Sequence, residues 1–357
     1  MRVKLEEVCS NQSSNIIQRD IENLVGEYPI FGASGFIKNI DTYKQEQEYL
    51  AIVKDGAGVG RVMLLPPKSS VIGTLQYLIP KDNIIPNYLF YVISNMNLGK
   101  YANGATIPHI YFKDYKKEEF ELPSFDQQHR IVAILDQVNH IISLRTQQLE
   151  QLDLLIKSRF VEMFGDNKYK NVTMKEVTSI ITDGTHQPPK FQKSGIPFIF
   201  VSNITTNELT YTSEKYISEE TYQELYKRTP IEIGDCLLSS VGSYGHCAIV
   251  KSDKKFLFQR HIAYLKPNKN LISSNYLQSA ILSEKTQRQI DTYVKGIAQK
   301  TLNLSDIKML VIPLPPLDLQ TQFAAFVEEV ERSKSTIKQS LTWLNTLKSK
   351  LMQDYFG

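Results

Sequence analysis

The chain repeats itself once, without gaps, and this bounds its fold more tightly than any single motif. Leu122-Pro123-Ser124-Phe125-Asp126-Gln127-Gln128 returns 192 residues later as Leu314-Pro315-Pro316-Leu317-Asp318-Leu319-Gln320. The register then holds for 44 residues, until Phe164-Gly165 meets Phe356-Gly357. Each copy carries a long helical pattern and follows a globular stretch of its own. The order is therefore head, rod, head, rod: residues 1–121, 122–165, 166–313 and 314–357. Two similar heads held apart by two rods describe a ruler that reads two separated features at once.

The rods have a coiled-coil period. In the first, positions 128, 131, 135, 138, 142, 145, 149, 152, 156 and 163 step in threes and fours, with one position omitted, and are mostly apolar. The second gives Phe323, Val327, Val330, Lys334, Ile337, Leu341, Leu344, Lys348, Leu351 and Tyr355. Neither has an internal Pro or Gly, each enters through a proline-bearing turn, and each closes on Phe-Gly, where Gly suits a C-terminal cap. The basic interruptions alternate: Arg145 stands opposite Ile337 in the repeat, Ile142 opposite Lys334, Arg159 opposite Leu351 and Ile156 opposite Lys348. Pairing the two rods with each other separates those charges better than self-pairing does. With a globular head between them, the easier geometry is an antiparallel intramolecular pair. A helix of about 36 residues spans about 54 Å, longer than the roughly 34 Å between successive half-sites on B-DNA.

The heads are related more distantly. Leu5-Glu6-Glu7-Val8 aligns with Met174-Lys175-Glu176-Val177, Tyr77-Leu78-Ile79-Pro80 with Tyr264-Leu265-Lys266-Pro267, and Asn87-Tyr88-Leu89 with Asn275-Tyr276-Leu277. The glycine-rich run Val53–Arg61 aligns with Leu238–His246, and Gly104–Pro108 with Gly296–Lys300. The offset drifts from 169 to 192, so head one is shorter through deletions in its first half. Short β-rich runs alternate with turns and a few helices, which predicts two mixed α+β domains.

Composition is that of a globular protein, with 42% hydrophobic and 22% charged residues. No apolar run is long enough to span a membrane, and the opening Met1–Glu7 lacks the apolar core of a signal peptide. Cys9, Cys236 and Cys247 build neither a disulfide framework nor a zinc quartet. Net charge is +3, but residues 166–313 hold 19 Lys/Arg against 14 Asp/Glu. That makes head two the basic part, though weakly so for a chain that must neutralise phosphates alone.

Catalytic signatures are missing. There is no phosphate-binding Gly-x-x-x-x-Gly-Lys-Ser/Thr loop, no Gly-x-Ser-x-Gly elbow and no Asn-Pro-Pro-Tyr of an amino-methyltransferase. Gly56–Gly60 reads as a tight hairpin turn, and the histidines lack metal-ligand spacing. What remains is a set of polar and basic residues in glycine-bearing loops. Head two offers Thr185, His186, Gln187 and Lys190; Ser240, Ser243 and Tyr244; Gln259, Arg260 and His261; and Lys295, Gln299 and Lys300. Head one offers Lys54, Arg61, Thr74, Gln76, Lys100, Asn103 and His109. Gln and Arg suit base edges, and Ser, Thr and Lys suit phosphates, so the set points to contact with double-stranded DNA.

Over nearly its whole length the chain resembles the specificity subunits of type I restriction-modification systems. The resemblance rests on the duplicated head-plus-helix layout and on Asp183-Gly184-Thr185-His186-Gln187-Pro188-Pro189. It also rests on Gly195–Ile204, Tyr28–Gly35 and Ile312–Gln320. It implies two target recognition domains in a pseudo-twofold arrangement, each reading half of a split target, on an antiparallel coiled coil that fixes the unread spacer. It further implies a non-catalytic cytoplasmic subunit with no cofactor of its own, docking two methyltransferase subunits that carry S-adenosylmethionine, with motor-nuclease subunits joining for restriction. Head one has Cys9-Ser10-Asn11-Gln12 where head two has its Asp-Gly-Thr-His loop, so the target should be asymmetric. The competing expectation is a coiled-coil scaffold that joins proteins without reading DNA.

Overall fold

The computed structural model describes residues 1–357 except 105, 166, 167, 297 and 298, so the expected start of head two at 166 lies outside the described residues. The chain forms two compact units, one of Met1–Thr146 with Lys338–Gly357 and one of Gln147–Ile337. Each unit holds one head and part of both rods.

Within the first unit, Arg2–Lys4 pairs antiparallel with Glu119–Glu121 and ties the two ends of the head together. A four-stranded antiparallel sheet follows in the order Cys9–Ser13, Leu75–Pro80, Tyr49–Val53, Val62–Leu65. A three-stranded sheet of Gly35–Ile40, Tyr28–Gly32 and Ser70–Val71 lies beside it, its last pair parallel. The strand Tyr49–Val53 explains the layering. All five residues are buried, and because side chains alternate across a strand, Leu50 and Ile52 face a core with Tyr88 and Leu89 of the helix Pro86–Asn95. Tyr49, Ala51 and Val53 face a second core shared with Ile30 and Val71 of the smaller sheet. The head is thus helix, sheet, sheet. The second unit repeats the plan, with Asn171–Thr173 on Val311–Pro313 and a sheet ordered Thr178–Asp183, Ile262–Pro267, Cys236–Ser239, Cys247–Ile249. Its smaller sheet is Tyr216–Ile217, Ile196–Ile199, Leu257–Phe258. The extra length of head two includes a helix, Glu219–Tyr226, capped by Ser218 Oγ, which accepts from Thr221 N–H at 3.2 Å.

The rods are Phe125–Phe164 and Leu317–Phe356, 40 residues each and about 60 Å long. Every seam position predicted from the sequence is buried or half-buried. In the first unit, Leu351, Met352, Tyr355 and Phe356 of the second rod join the core that holds Ile131 and Leu135 of the first. In the second unit, Phe160 and Phe164, at the end of the first rod, stack against Phe323, near the start of the second, at 5.7 and 5.5 Å. The start of one rod meets the end of the other in both, which is the antiparallel pairing.

The rod seats are equivalent. Gln128 Oε1 accepts from Ile85 N–H at 2.9 Å while its Nε2 donates to Pro123 O at 3.1 Å. Gln320, its repeat partner, accepts from Ser273 N–H at 2.9 Å and donates to Leu271 O and Pro315 O at 3.0 and 2.8 Å. Both side chains are buried. Tyr88 OH donates to Glu121 O and stacks edge-on against Phe356; Tyr276 OH donates to Pro313 O and stacks against Phe164. The closing glycines differ from expectation. Gly165 N–H donates to Val161 O at 2.8 Å without a left-handed φ, so it ends the rod on an ordinary helical hydrogen bond.

Candidate nucleic-acid interface

The four loops singled out in head two meet at one end of its sheet. Gly184 N–H donates to Ile262 O at 3.2 Å, Thr185 N–H to Phe258 O at 2.9 Å, and Arg260 N–H to Thr185 O at 3.1 Å. Ser240 donates to His261 O through both its N–H and its hydroxyl, at 2.9 and 3.0 Å. Leu302 N–H then donates to Ser240 O, Gly242 N–H to Lys300 O, and Lys295 N–H to Thr301 O, at 2.8, 2.9 and 3.0 Å. Segments over a hundred residues apart in sequence form one continuous edge. His186, Gln187, Lys190, Ser243, Arg260, Lys295, Gln299 and Lys300 are exposed on it, with Thr185, Tyr244, Gln259 and His261 half-buried among them. Ile297 and Ala298 of this loop set lie outside the described residues.

Head one builds the counterpart edge. Lys54 N–H donates to Thr74 O at 3.0 Å, Ile110 N–H to Lys54 O at 2.9 Å, and Gly56 N–H to Pro108 O at 2.9 Å. Asn103 and His109 exchange backbone hydrogen bonds at 2.9 and 2.8 Å, in the place of Lys295 and Thr301. Gly56 takes the position of Gly242 and Gly60 that of Gly245, all four with φ between 76° and 86°. The hairpin reading of Gly56–Gly60 therefore holds, while the alignment of Gly56 with Val241 slips by one residue. The Arg61 guanidinium donates to Ala33 O and ties this loop to the turn of the smaller sheet.

Two candidates are corrected. Gln76 is 3% exposed and donates to the hydroxyl of Tyr115, so it satisfies a core phenol instead of facing a ligand. Ser240 is 4% exposed and serves the His261 carbonyl. Lys100, its side chain 47% exposed, pairs with Glu118 at 2.5 Å, and that hydrogen bond raises its pKa and keeps it a cation.

Electrostatics sort the rest. Burial lowers the pKa of His246, and burial with the neighbouring Arg260 lowers that of His261, so both rings are neutral near pH 7 and act as hydrogen-bonding groups rather than cations. Tyr244 OH donates to Asp291 at 3.0 Å, which pushes the phenol up, and the Lys300 ammonium lies 5.8 Å above its ring. The sequence missed Arg228. Asp183 accepts from Arg228 Nη2 at 2.6 Å and from His186 Nε2 at 2.8 Å, across 45 residues of chain. The only local cue was the Ser218 cap of the helix that delivers it. Among the described residues no cluster of His, Cys, Asp and Glu fits a metal ion, and no helix is long and apolar enough to cross a membrane.

Comparison with known proteins fits this geometry. The family model described as the type I restriction modification DNA specificity domain matches residues 1–154 and again 167–345. The putative type I restriction enzyme MjaX specificity subunit of Methanocaldococcus jannaschii is 29% identical over 189 residues, 51% of this chain and 44% of that protein. The MjaVIII specificity subunit of the same organism is 22% identical over 93% of this chain and 85% of its own length. In structure, the type I restriction-modification S subunit from M. genitalium superposes with a TM-score of 0.62 over 100% of this chain and 96% of that one, at 14% identity. The duplicated heads, the paired rods and the twofold match of the family model make this chain a member of the type I restriction-modification DNA specificity family.

Proposed function

We propose that the chain reads a bipartite, asymmetric DNA target, one half with each head, and that the paired rods set the unread spacer. The observation that carries this is the duplicated edge. In each head, loops chosen from sequence for base and phosphate chemistry are joined by backbone hydrogen bonds at one end of the same sheet, with different side chains on the two copies. Different side chains on equivalent loops read different half-sites, which makes the target asymmetric.

The rods dock two methyltransferase subunits in this reading. Their exposed apolar side chains support it: Ile134, Leu144, Leu154 and Val161 on the first rod, and Trp343, 64% exposed, on the second. A solvated Trp on a helix face suits an interface anchor. The partner subunits bring S-adenosylmethionine and the methyl-transfer chemistry, motor-nuclease subunits join them for restriction, and the assembly works in the cytoplasm. The chain itself is non-catalytic. Partner charge also makes up for a head one that is not basic and a head two that is only modestly so.

Hydroxyl-radical footprinting of the assembled methyltransferase complex tests the reading. Two protected tracts separated by an accessible spacer are expected. A complex that assembles and protects no defined sequence supports the scaffold instead.

A further inference from the structure

We propose that Arg228, held by Asp183 alongside His186, reads the edge of a guanine in the half-site of head two. This rests on the DNA-reading role proposed above. The Asp183 side chain is only 14% exposed, whereas those of Arg228 and His186 are each 52% exposed. A sheltered carboxylate thus restrains two solvent-facing donors before any ligand arrives. Such restraint lowers the ordering cost of recognition, and it distinguishes the cluster from ordinary surface ion pairs, whose side chains sample many geometries.

The surroundings fix it further. Asp183 ends a strand of the four-stranded sheet. Gly184 then hugs the strand Leu257–Phe258 of the smaller sheet so closely that a Cβ would lie 2.2 Å from Phe258 O. Arg228 enters from the far side of a cleft lined by Gly184–Lys190 on one wall and by Thr221, Glu224 and Leu225 on the other. Its loop is pinned where Arg228 N–H donates to Leu225 O at 3.2 Å.

Charge decides between phosphate and base. Asp183 neutralises Arg228, so the pair has little to offer a phosphate, for which net positive charge matters most. Directional donors remain, because the contact with Asp183 runs through Nη2 and a guanidinium carries several N–H groups in a planar fork. That fork matches the adjacent N7 and O6 acceptors of guanine in the major groove. Lys190, on the cleft wall, is better suited to the neighbouring phosphate.

The test uses the full chain in its methyltransferase complex, with methylated bases mapped across random DNA. Arg228→Ala should relax one guanine in the half-site assigned to head two by roughly ten-fold or more in preference, leaving the other half-site intact. Arg228→Lys keeps the charge without the fork and should relax the same position. Asp183→Asn should do so as well, with the arginine still present. A second probe is 7-deazaguanine in the DNA, which lacks the N7 acceptor; at that position it should slow the wild-type complex roughly ten-fold and leave Arg228→Ala indifferent. A half-site without guanine, or an Arg228→Ala motif identical to wild type while exchange of head two still redirects the motif, overturns the assignment. If exchange of head two redirects nothing, the DNA-reading role itself fails and this assignment falls with it.

Discussion

Gln128 and Gln320 show what one residue type does twice. Each is buried where a rod leaves its head, and each satisfies a backbone N–H and carbonyls of the adjoining loops. Gln320→Leu has nearly the same size but strands the Ser273 N–H and the carbonyls of Leu271 and Pro315. Leaving buried groups unpaired costs about 1–3 kcal/mol each, so thermal unfolding should show a loss of at least about 2 kcal/mol; an unchanged midpoint would mean water replaces the amide. The Lys334 ammonium, at a seam position, is nearly buried and lies 2.7 Å from Asp153 and 2.8 Å from Glu331. Burial pushes the Glu331 carboxyl up, but the hydrogen bond from Lys334 and the charges of Lys251 and Lys334 outweigh it and the net shift is down. A lowered carboxyl stabilises the fold above its unfolded value of about 4.3 and loses that stabilisation as pH falls through its folded value. Acid unfolding below about pH 4.3 should therefore be less steep in Glu331→Gln than in the wild type, and parallel profiles would contradict the assignment. Residue chemistry was legible as type but not as placement. Gln76 and Ser240 have the right groups for DNA, yet each lies inside its head, because a lone polar residue in or just past a strand does not announce its partner. Arg228 escaped notice for the same reason, since Asp183 is far away in sequence.

Among the elements, the rods were the most legible. A seam at steps of three and four is a local signal, and the structure buries or half-buries every position it named. The sheets were legible as strands but not as an order. The parallel contacts of Ile30 with Ser70 and of Phe198 with Leu257 join strands with no local pattern linking them, and an insertion of one residue in a glycine hairpin slipped the alignment. If the rods set the spacer, inserting one heptad into each should lengthen the spacing of the two half-sites by about 10 Å, close to three base pairs, with both half-sites unchanged. Mapping methylation motifs for the lengthened chain checks this, and an unchanged spacer would assign spacing to another part of the complex.

At the scale of the whole molecule, duplication is the design. One plan of head and rod serves twice, with the seats of the rods and the sheet order kept and the loop side chains changed. That division predicts that scaffold and specificity separate cleanly. The edge of head one presents Lys54, Arg61, Thr74, Asn103 and His109, while that of head two presents the Asp-Gly-Thr-His loop with Arg260, Lys295 and Lys300. The most direct measurement exchanges residues 171–313 for the second head of a relative, within the methyltransferase complex, and maps the methylated bases by single-molecule sequencing. The account predicts a split motif in which one half changes, while the other half and the spacer stay as they were. Methylation whose motif ignores the exchange would contradict it.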